Sequence, residues 1–498
     1  MKMNRREFLK SASLAATGTI LAACAPAATQ APAAPGATAA PAATAAPVVQ
    51  ATSAPAATAL SNLAPTSVSE VHLPTGNTLE GFTAAKPNPS EKFTLLYWWG
   101  NNYEPAMAFT HTILKRFSIA YPNIEVNPVG GQNCDAFVQA AAAGTPPDVF
   151  HTWDCVERMG NWASRGMIIP IDDYLSTTKF DLNDYFGDVM QTCKMDGKIW
   201  GMVDTGGLMT MWSRPTLLTD IGMDVKSQPA DTDELWAWGQ KLTKKDADGN
   251  IQRLGFLPPA WTWARFAWIT DFGGKLWDTN TNKPTPEDPG VLAALNDIAA
   301  NVKIMGVDNL TRWSSSVGSQ SGAQSPYLAG NLGYQLDGDW TGQTIFDFHP
   351  DWVVGTDYNM TGVPVPGAGK GVGTPAITLW SWPLVIPAGG KHTDYAWEFM
   401  RFMLSPEYQL NVHGKFKELV LRKSMKADAR QWWPAAKIAT GMLNGTTPIT
   451  PVIPMAVVAA EYITLLADAF DKVFTLAATP EAAMAQVKTD IAAKMSGS

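Results

Sequence analysis

Residues 93–153 decide the fold, beginning with FTLLYWW (93–99) and ending with PPDVFHTW (146–153). FTLLYWW is a short apolar run and predicts a buried strand. YEPAMAFTHTILKRFSIAYP (103–122) places Ala108, Ile113, Leu114 and Phe117 at near-helical spacing, with Pro122 beyond the helix end. NIEVNPV (123–129) predicts a second strand. CDAFVQAAAAG (134–144) predicts a second helix that stops at Gly144, and PPDVFHTW predicts a third strand entered through proline. Strands alternating with helices imply parallel strands joined by crossovers, an α/β layered domain.

A second series follows. KIWGMV (198–203) and LMTMWS (208–213) predict two strands. TDELWAWGQKLTK (232–244) predicts a helix capped by Asp231 or Thr232, and DADGN (246–250) a turn before the strand RLGFL (253–257). NLGYQLDG (331–338), YNMTGVPV (358–365) and AITLWSWPLVIP (376–387) predict further strands. Residues 393–405, 451–474 and 480–495 predict helices. At 498 residues the chain is too long for one ordinary core.

The amino-terminal part reads differently. Adjacent Arg5 and Arg6 precede the apolar run SLAATGTILAAC, which is too short to span a membrane as a stable helix. The segment 4–10 resembles a twin-arginine export signal, and Leu21-Ala22-Ala23-Cys24 resembles a lipobox that leaves Cys24 as the lipidated first residue. Residues 1–23 are therefore read as a signal peptide and 24–90 as a tether. Ala25 to Ser69 is Ala, Pro and Thr with little else and without one charge, and it lacks the large apolar groups that would offset its ordering entropy. At ~3 Å per residue in extended polyproline-like states, such a tether reaches roughly 100–200 Å.

Composition excludes some classes. The formal charge of −8 carries no basic cluster of the kind nucleic acid requires. Cys134, Cys155 and Cys193 remain after the anchor, so one disulfide plus a thiol, or three thiols, stay open. No spacing suggests a metal or a cofactor. Asp246 to Asn250 departs from a calcium loop in its glycine position and closing Glu, so a polar turn is expected. Asp337-Gly338-Asp339-Trp340 sets two carboxylates beside an aromatic; a glycosidase needs such a pair ~5–9 Å apart, but Gly-Asp-Trp after a strand more often opens a helix.

All 20 tryptophans lie at or after Trp98. Trp236 and Trp397 read as core. Trp98, Trp99, Trp153, Trp212, Trp261, Trp263, Trp340, Trp380 and Trp382 fall at strand ends or in loops, the pattern of a carbohydrate pocket with flat apolar walls. Strand alternation splits Trp98 from Trp99. Trp98 is expected between sheet and helix, and Trp99 facing a cleft.

Several segments in order resemble the extracellular solute-binding proteins of ABC importers, in the group with maltose- and multiple-sugar-binding proteins. They are KRFSIAYPNIEV (115–126), AAGTPPDVF (142–150), RGMIIPIDDYL (165–175), DGKIWGM (196–202), ADTDELWAWGQKLTKKDADGN (230–250), AGNLGYQLDGDW (329–340) and HTDYAWEFMRFMLSPEYQ (392–409). The resemblance spans about residues 92–490. It implies a two-lobe α/β fold with 91–205 plus 376–420 as one lobe, 206–375 plus 421–498 as the other, and ligand in a cleft closed by hinge motion. By position it implies that Trp99, Asn101, Asn102, Trp153 and Asp154 line one lobe. Asp204 falls near the first crossover, Trp340 faces from the other lobe, and Trp380 and Trp382 lie near a second crossover. Trp212, Trp261, Trp263 and Asp337 complete the expected ligand set. The sequence departs from the family at Val203-Asp204 and at Met211-Trp212-Ser213-Arg214, and Trp212 is the expected replacement stacking face there. The implied protein is an exported, lipid-anchored monomer, not an enzyme, that needs no cofactor and delivers a saccharide to an ABC permease. A secreted glycosidase, a surface adhesin and a non-sugar solute are the competing readings.

Overall fold

The computed structural model describes residues 72–100, 104–186, 189–317, 322–364, 366–367, 377–428, 430, 449–450 and 453–496. The export signal with Arg5 and Arg6, Cys24, the tether up to residue 71, Asn101 and Asn102 lie outside the described residues. The last part of the expected tether, 72–90, instead packs on the fold: Phe82 is buried edge-on to Phe402, and Glu80 N and Ala85 N donate to the carboxylates of Glu407 and Glu398.

FTLLYWW forms β1 (Phe93–Trp99), with Leu95, Tyr97 and Trp99 buried and Leu96 and Trp98 half-buried. Helix α1 (Glu104–Lys115) leads to β2 (Ile124–Val129), and α2 (Cys134–Ala142) to β3 (Val149–His151). Both β2 and β3 pair with β1 in parallel, as the alternation implies. Asn133 caps α2, its Oδ1 accepting from Ala136 N at 2.9 Å. A Cys134–Cys155 disulfide ties the start of α2 to the 3₁₀ turn Trp153–Arg158, and Cys193 is a buried free thiol. Burial pushes the Cys193 thiol up to about 12, where it is unreactive.

The next stretch departs from expectation. KIWGMV and LMTMWS do not form two strands with the expected bounds: Lys198–Ile199 is a short strand paired with Lys194–Met195, and Met202–Ser213 is one strand, β4, buried at every position. The Asp-Thr-Gly-Gly segment in its middle has poor strand propensity, so sequence pattern breaks it. Tertiary pairing overrides that. Helix α3 (Thr232–Leu242) follows, capped by Asp231, and β5 (Ile251–Phe256) follows the DADGN turn. In that turn Asp246 Oδ1 accepts from Asp248 N and Asn250 N, and Oδ2 from Gln252. Helices α4 (Thr262–Asp271) and α5 (Pro289–Met305) lead to β6 (Leu332–Gly338), α6 (Thr341–Phe348), β7 (Asn359–Thr361) and β8 (Ile377–Val385). The chain ends in α7 (Thr393–Met403), α8 (Pro406–Phe416), α9 (Ala459–Phe474) and α10 (Pro480–Ser496). Helix α9 starts later than the expected 451–474, because Pro454 and the turn after it precede Ala459.

Among the described residues one mixed sheet carries the fold in the order β2-β1-β3-β8-β4-β6-β5, with β7 also beside β4. Pairs β1–β2, β1–β3 and β6–β5 are parallel, whereas β8 runs antiparallel to β3 and β4, and β4 antiparallel to β6; the start of β8 also pairs in parallel with Ile449–Thr450. The two halves of β4 have different partners. Met202 to Leu208 pair with β8, and Met209 to Ser213 with β6. The register slips between Trp382 and Pro383, as expected where proline cannot donate. β4 and β8 thus thread from the β1–β3 group to the β6–β5 group.

Helix α7 seals the β1 face that bears Tyr97, with Tyr97 edge-on to Phe399 at 5.6 Å. Trp397 on α7 is fully buried, and Trp236 on α3 is buried with its Nε1 donating to Asp297 at 2.8 Å. Both are core, as read from sequence.

Candidate functional site

The site is built where β6 ends. Gly338 and Asp339 turn the chain into α6, and Trp340 stands at the N-cap position of that helix. The Trp340 ring is seated on two glycines. A Cβ at Gly338 would lie 2.2 Å from Trp340 Cη2, and one at Gly207 on β4 would lie 2.8 Å from Cζ3. Any side chain at either position would displace the ring. Trp340 then meets two further tryptophans. Trp261, just ahead of α4, is edge-on at 6.2 Å, and Trp382 on β8 is tilted at 6.3 Å. Trp261 and Trp340 are half-buried and Trp382 is buried. The Trp261 Nε1 has no hydrogen-bond partner among the described residues. Trp263 is half-buried and edge-on to Phe266 at 5.1 Å.

Two carboxylates flank this row and differ in their bonding. Asp337 Oδ1 accepts from Gly338 N at 2.8 Å, and Oδ2 lies 3.3 Å from Thr341 Oγ1, so the group closes the β6–α6 turn. Asp339 Oδ1 accepts from Leu208 N at 3.1 Å, while its Oδ2 is buried without a hydrogen-bond partner among the described residues. Burial raises the Asp339 carboxyl to about 7, against the backbone N–H groups of Leu208, Asp339 and Trp340 and reinforced by the charge of Glu418.

Asp204 centres a buried ion cluster. Asp204 on β4 receives Gln409 Nε2 at 2.6 Å and lies 3.3 Å from His151 Nε2 and 3.4 Å from His413 Nε2. His413 Nδ1 meets Glu418 at 2.5 Å. Burial lowers the His413 affinity for a proton, but two carboxylates outweigh it and hold His413 at about 10. Burial raises Asp204, yet the His413 charge and the hydrogen bonds from His151 and His413 hold it at about 2.

A narrow cavity of about 30 Å³ separates Val156 and Glu157 from Trp263 and Phe266. Thr192 Oγ1 and Ser381 Oγ meet at 2.8 Å on its wall. The space holds water but not a sugar ring.

The family model for bacterial extracellular solute-binding proteins matches residues 101–410, more than half of the chain. The chain belongs to that family. Solved structures similar to this solute-binding protein include CpMnBP1 with mannotriose bound, at TM-score 0.67 and 22% identity over 80% of this chain and 99% of that one. The GacH receptor of Streptomyces glaucescens, solved unliganded and with acarbose, matches at TM-score 0.63 and 18% identity over 80% and 97%. MalE from Bdellovibrio bacteriovorus bound to maltotriose matches at TM-score 0.62 and 18% identity over 81% and 100%. Their likeness establishes the two-lobe binding-protein fold.

The solute-binding protein brings together Trp261, Trp340 and Trp382, three of the expected ligand residues, while Asp337 closes the turn that carries Trp340. Others are placed elsewhere. Trp99 is 5% exposed, its ring 6.4 Å from His151 beside the ion cluster, and Trp98 is the more exposed of the pair. Trp98 packs against the core, as expected. Both faces of β1 are covered, so alternation alone does not tell which face opens. Trp212 is fully buried, with Nε1 donating to Asp337 O at 3.1 Å, and offers no stacking face. Asp204 is 2% exposed and held inside the ion cluster. The side chains of Trp153, Asp154 and Trp380 lie outside the described residues. Sequence reading overlooked Gly207 and took Asp339 only as a catalytic candidate. The Gly206-Gly207 pair inside an apolar run is the signal that marks a close approach by another group.

Proposed function

We propose that this solute-binding protein, an exported protein by its family, captures a saccharide between two lobes and hands it to an ABC permease. The proposed lobes are 91–205 plus 376–420 and 206–375 plus 421–498, with β4 and β8 as crossing strands. Cys24, exposed by cleavage after a twin-arginine signal, is the proposed lipid anchor, and the Ala/Pro/Thr tether its spacer. The observation that carries the saccharide reading is the row Trp261–Trp340–Trp382, with the Trp340 ring seated on Gly207 and Gly338. Flat indole faces cover the C–H faces of sugar rings, and carboxylates bond the hydroxyls. The similar structures with mannotriose, acarbose and maltotriose support the same ligand class. Hydrolysis is not favoured, because both Asp337 oxygens are engaged by the turn they close.

Calorimetry against mono- and oligosaccharides tests the proposal. Binding of at least one sugar, recovered intact afterwards, is expected. Binding only of an amino acid, a polyamine or a metal chelate sinks it. Trp340→Ala weakens the bound sugar by ~1–3 kcal/mol, roughly 5- to 150-fold, the scale of a buried aromatic contact. The variant's circular dichroism stays that of the parent. Unchanged affinity removes Trp340 from the site.

A further inference from the structure

Asp339 differs from every other carboxylate near the tryptophan row. It is 3% exposed, and its Oδ2 is buried without a donor. Its main chain and Oδ1 are fixed by Leu208. Asp339 N donates to Leu208 O at 3.0 Å, and Leu208 N to Oδ1 at 3.1 Å. The same Oδ1 lies 2.9 Å from where a Cβ at Gly207 would stand, beside the Trp340 ring edge. A carboxyl held this rigidly, with one oxygen lacking a donor, is an incomplete hydrogen-bond arrangement. A ligand donor next to Trp340 would complete it.

We infer that Asp339 is a specificity-determining residue whose unpartnered oxygen receives a hydroxyl donated by the sugar ring lying on Trp340, and that this bond couples the affinity of the site to pH. The inference rests on the saccharide reading above. The physics is linkage. In the empty site burial disfavours the carboxylate, and the group titrates at about 7. A donated hydroxyl bonds the carboxylate better than the acid, so ligand lowers that value and releases a proton. The charged neighbours are few. On β4, Asp204 is paired with His151 and His413. After α8, Glu418 is paired with His413 and adds negative potential. Lys417 lies over the α6 ring of Phe346 at 5.0 Å, and burial lowers it to about 8. Asp337, on the strand of Asp339 itself, closes the turn.

The test is calorimetry on the whole mature protein with mannotriose, maltotriose, maltose and D-tagatose as probes, from pH 5.5 to 8.5. Affinity for a bound probe is expected to rise roughly tenfold from the acid to the alkaline end, the limit for a one-unit lowering of the carboxyl. Repeating the titration near pH 7 in buffers of different ionisation enthalpy should show a fraction of a proton released. Asp339→Asn should flatten the pH profile and weaken binding at pH 8.5. Parallel profiles for the two proteins, or no proton release by the wild type, overturn the inference while leaving the saccharide reading standing. No binding of any probe by the wild type overturns both.

Discussion

Asp204→Ala lowers the unfolding free energy by ~3–5 kcal/mol, the cost of removing one member of a buried ion pair and stranding its partners. Asp204 is the shared acceptor for Gln409, His151 and His413, and it is 2% exposed. Without it, the His413 cation keeps only Glu418, and the Gln409 amide loses its 2.6 Å partner. Asp204→Asn costs less, because an amide oxygen still accepts one donor. Chemical denaturation reads the difference, and a loss under 1 kcal/mol for the alanine variant would show that the cluster contributes nothing net. The pH dependence has a defined sign. Asp204 sits at about 2 in the fold, below its roughly 3.9 unfolded value, so its contribution is present above that value and is lost as pH falls through 2. His413 sits at about 10 in the fold, above roughly 6.5 unfolded, so its contribution is full below 6.5 and is lost as pH rises through 10. Wild-type stability therefore declines from pH 6.5 upward, and Asp204→Ala flattens that decline.

Trp212→Ala destabilises the fold by ~3–5 kcal/mol through loss of a filled core site. Trp212 has no exposed surface and lies in register between Gln335 on β6 and Met360 on β7. Its Nε1 also holds Asp337 O. Trp212→Phe keeps most of the volume and drops that bond, so it should cost roughly 1–2 kcal/mol. Because β6 delivers Gly338, Asp339 and Trp340 to the site, the alanine variant should also weaken ligand, whereas the phenylalanine variant should not. An alanine variant within 0.5 kcal/mol of the parent would show that the indole is not structural.

Much of this was legible in the chain. The β1-α1-β2-α2-β3 unit follows from apolar runs separated by helical spacing, and its parallel pairing from the alternation. The Asp231 cap, the DADGN turn and the strand-to-helix passage at Asp337–Trp340 follow from local chemistry that acts over a few residues. The order of motifs pointed to the family that the match over residues 101–410 establishes. β4 was not legible as one strand, because Asp204 to Gly207 oppose strand formation locally and are recruited by pairing with the distant β8.

The site divides in the same way. Sequence alone determined that an α/β binding protein carries a surplus of tryptophan at strand ends, and that Trp340 follows a glycine turn. Tertiary structure decided which tryptophans meet. It placed Trp261, Trp340 and Trp382 in one row from three distant elements, buried Trp212 and Trp99, and drew Asp204 into an ion cluster. The reason is range. Strand periodicity says only that Trp98 and Trp99 face opposite ways. Which face is covered, and which glycines leave room for a ring, depends on elements that arrive from more than a hundred residues away, as Gly207 and Trp340 do.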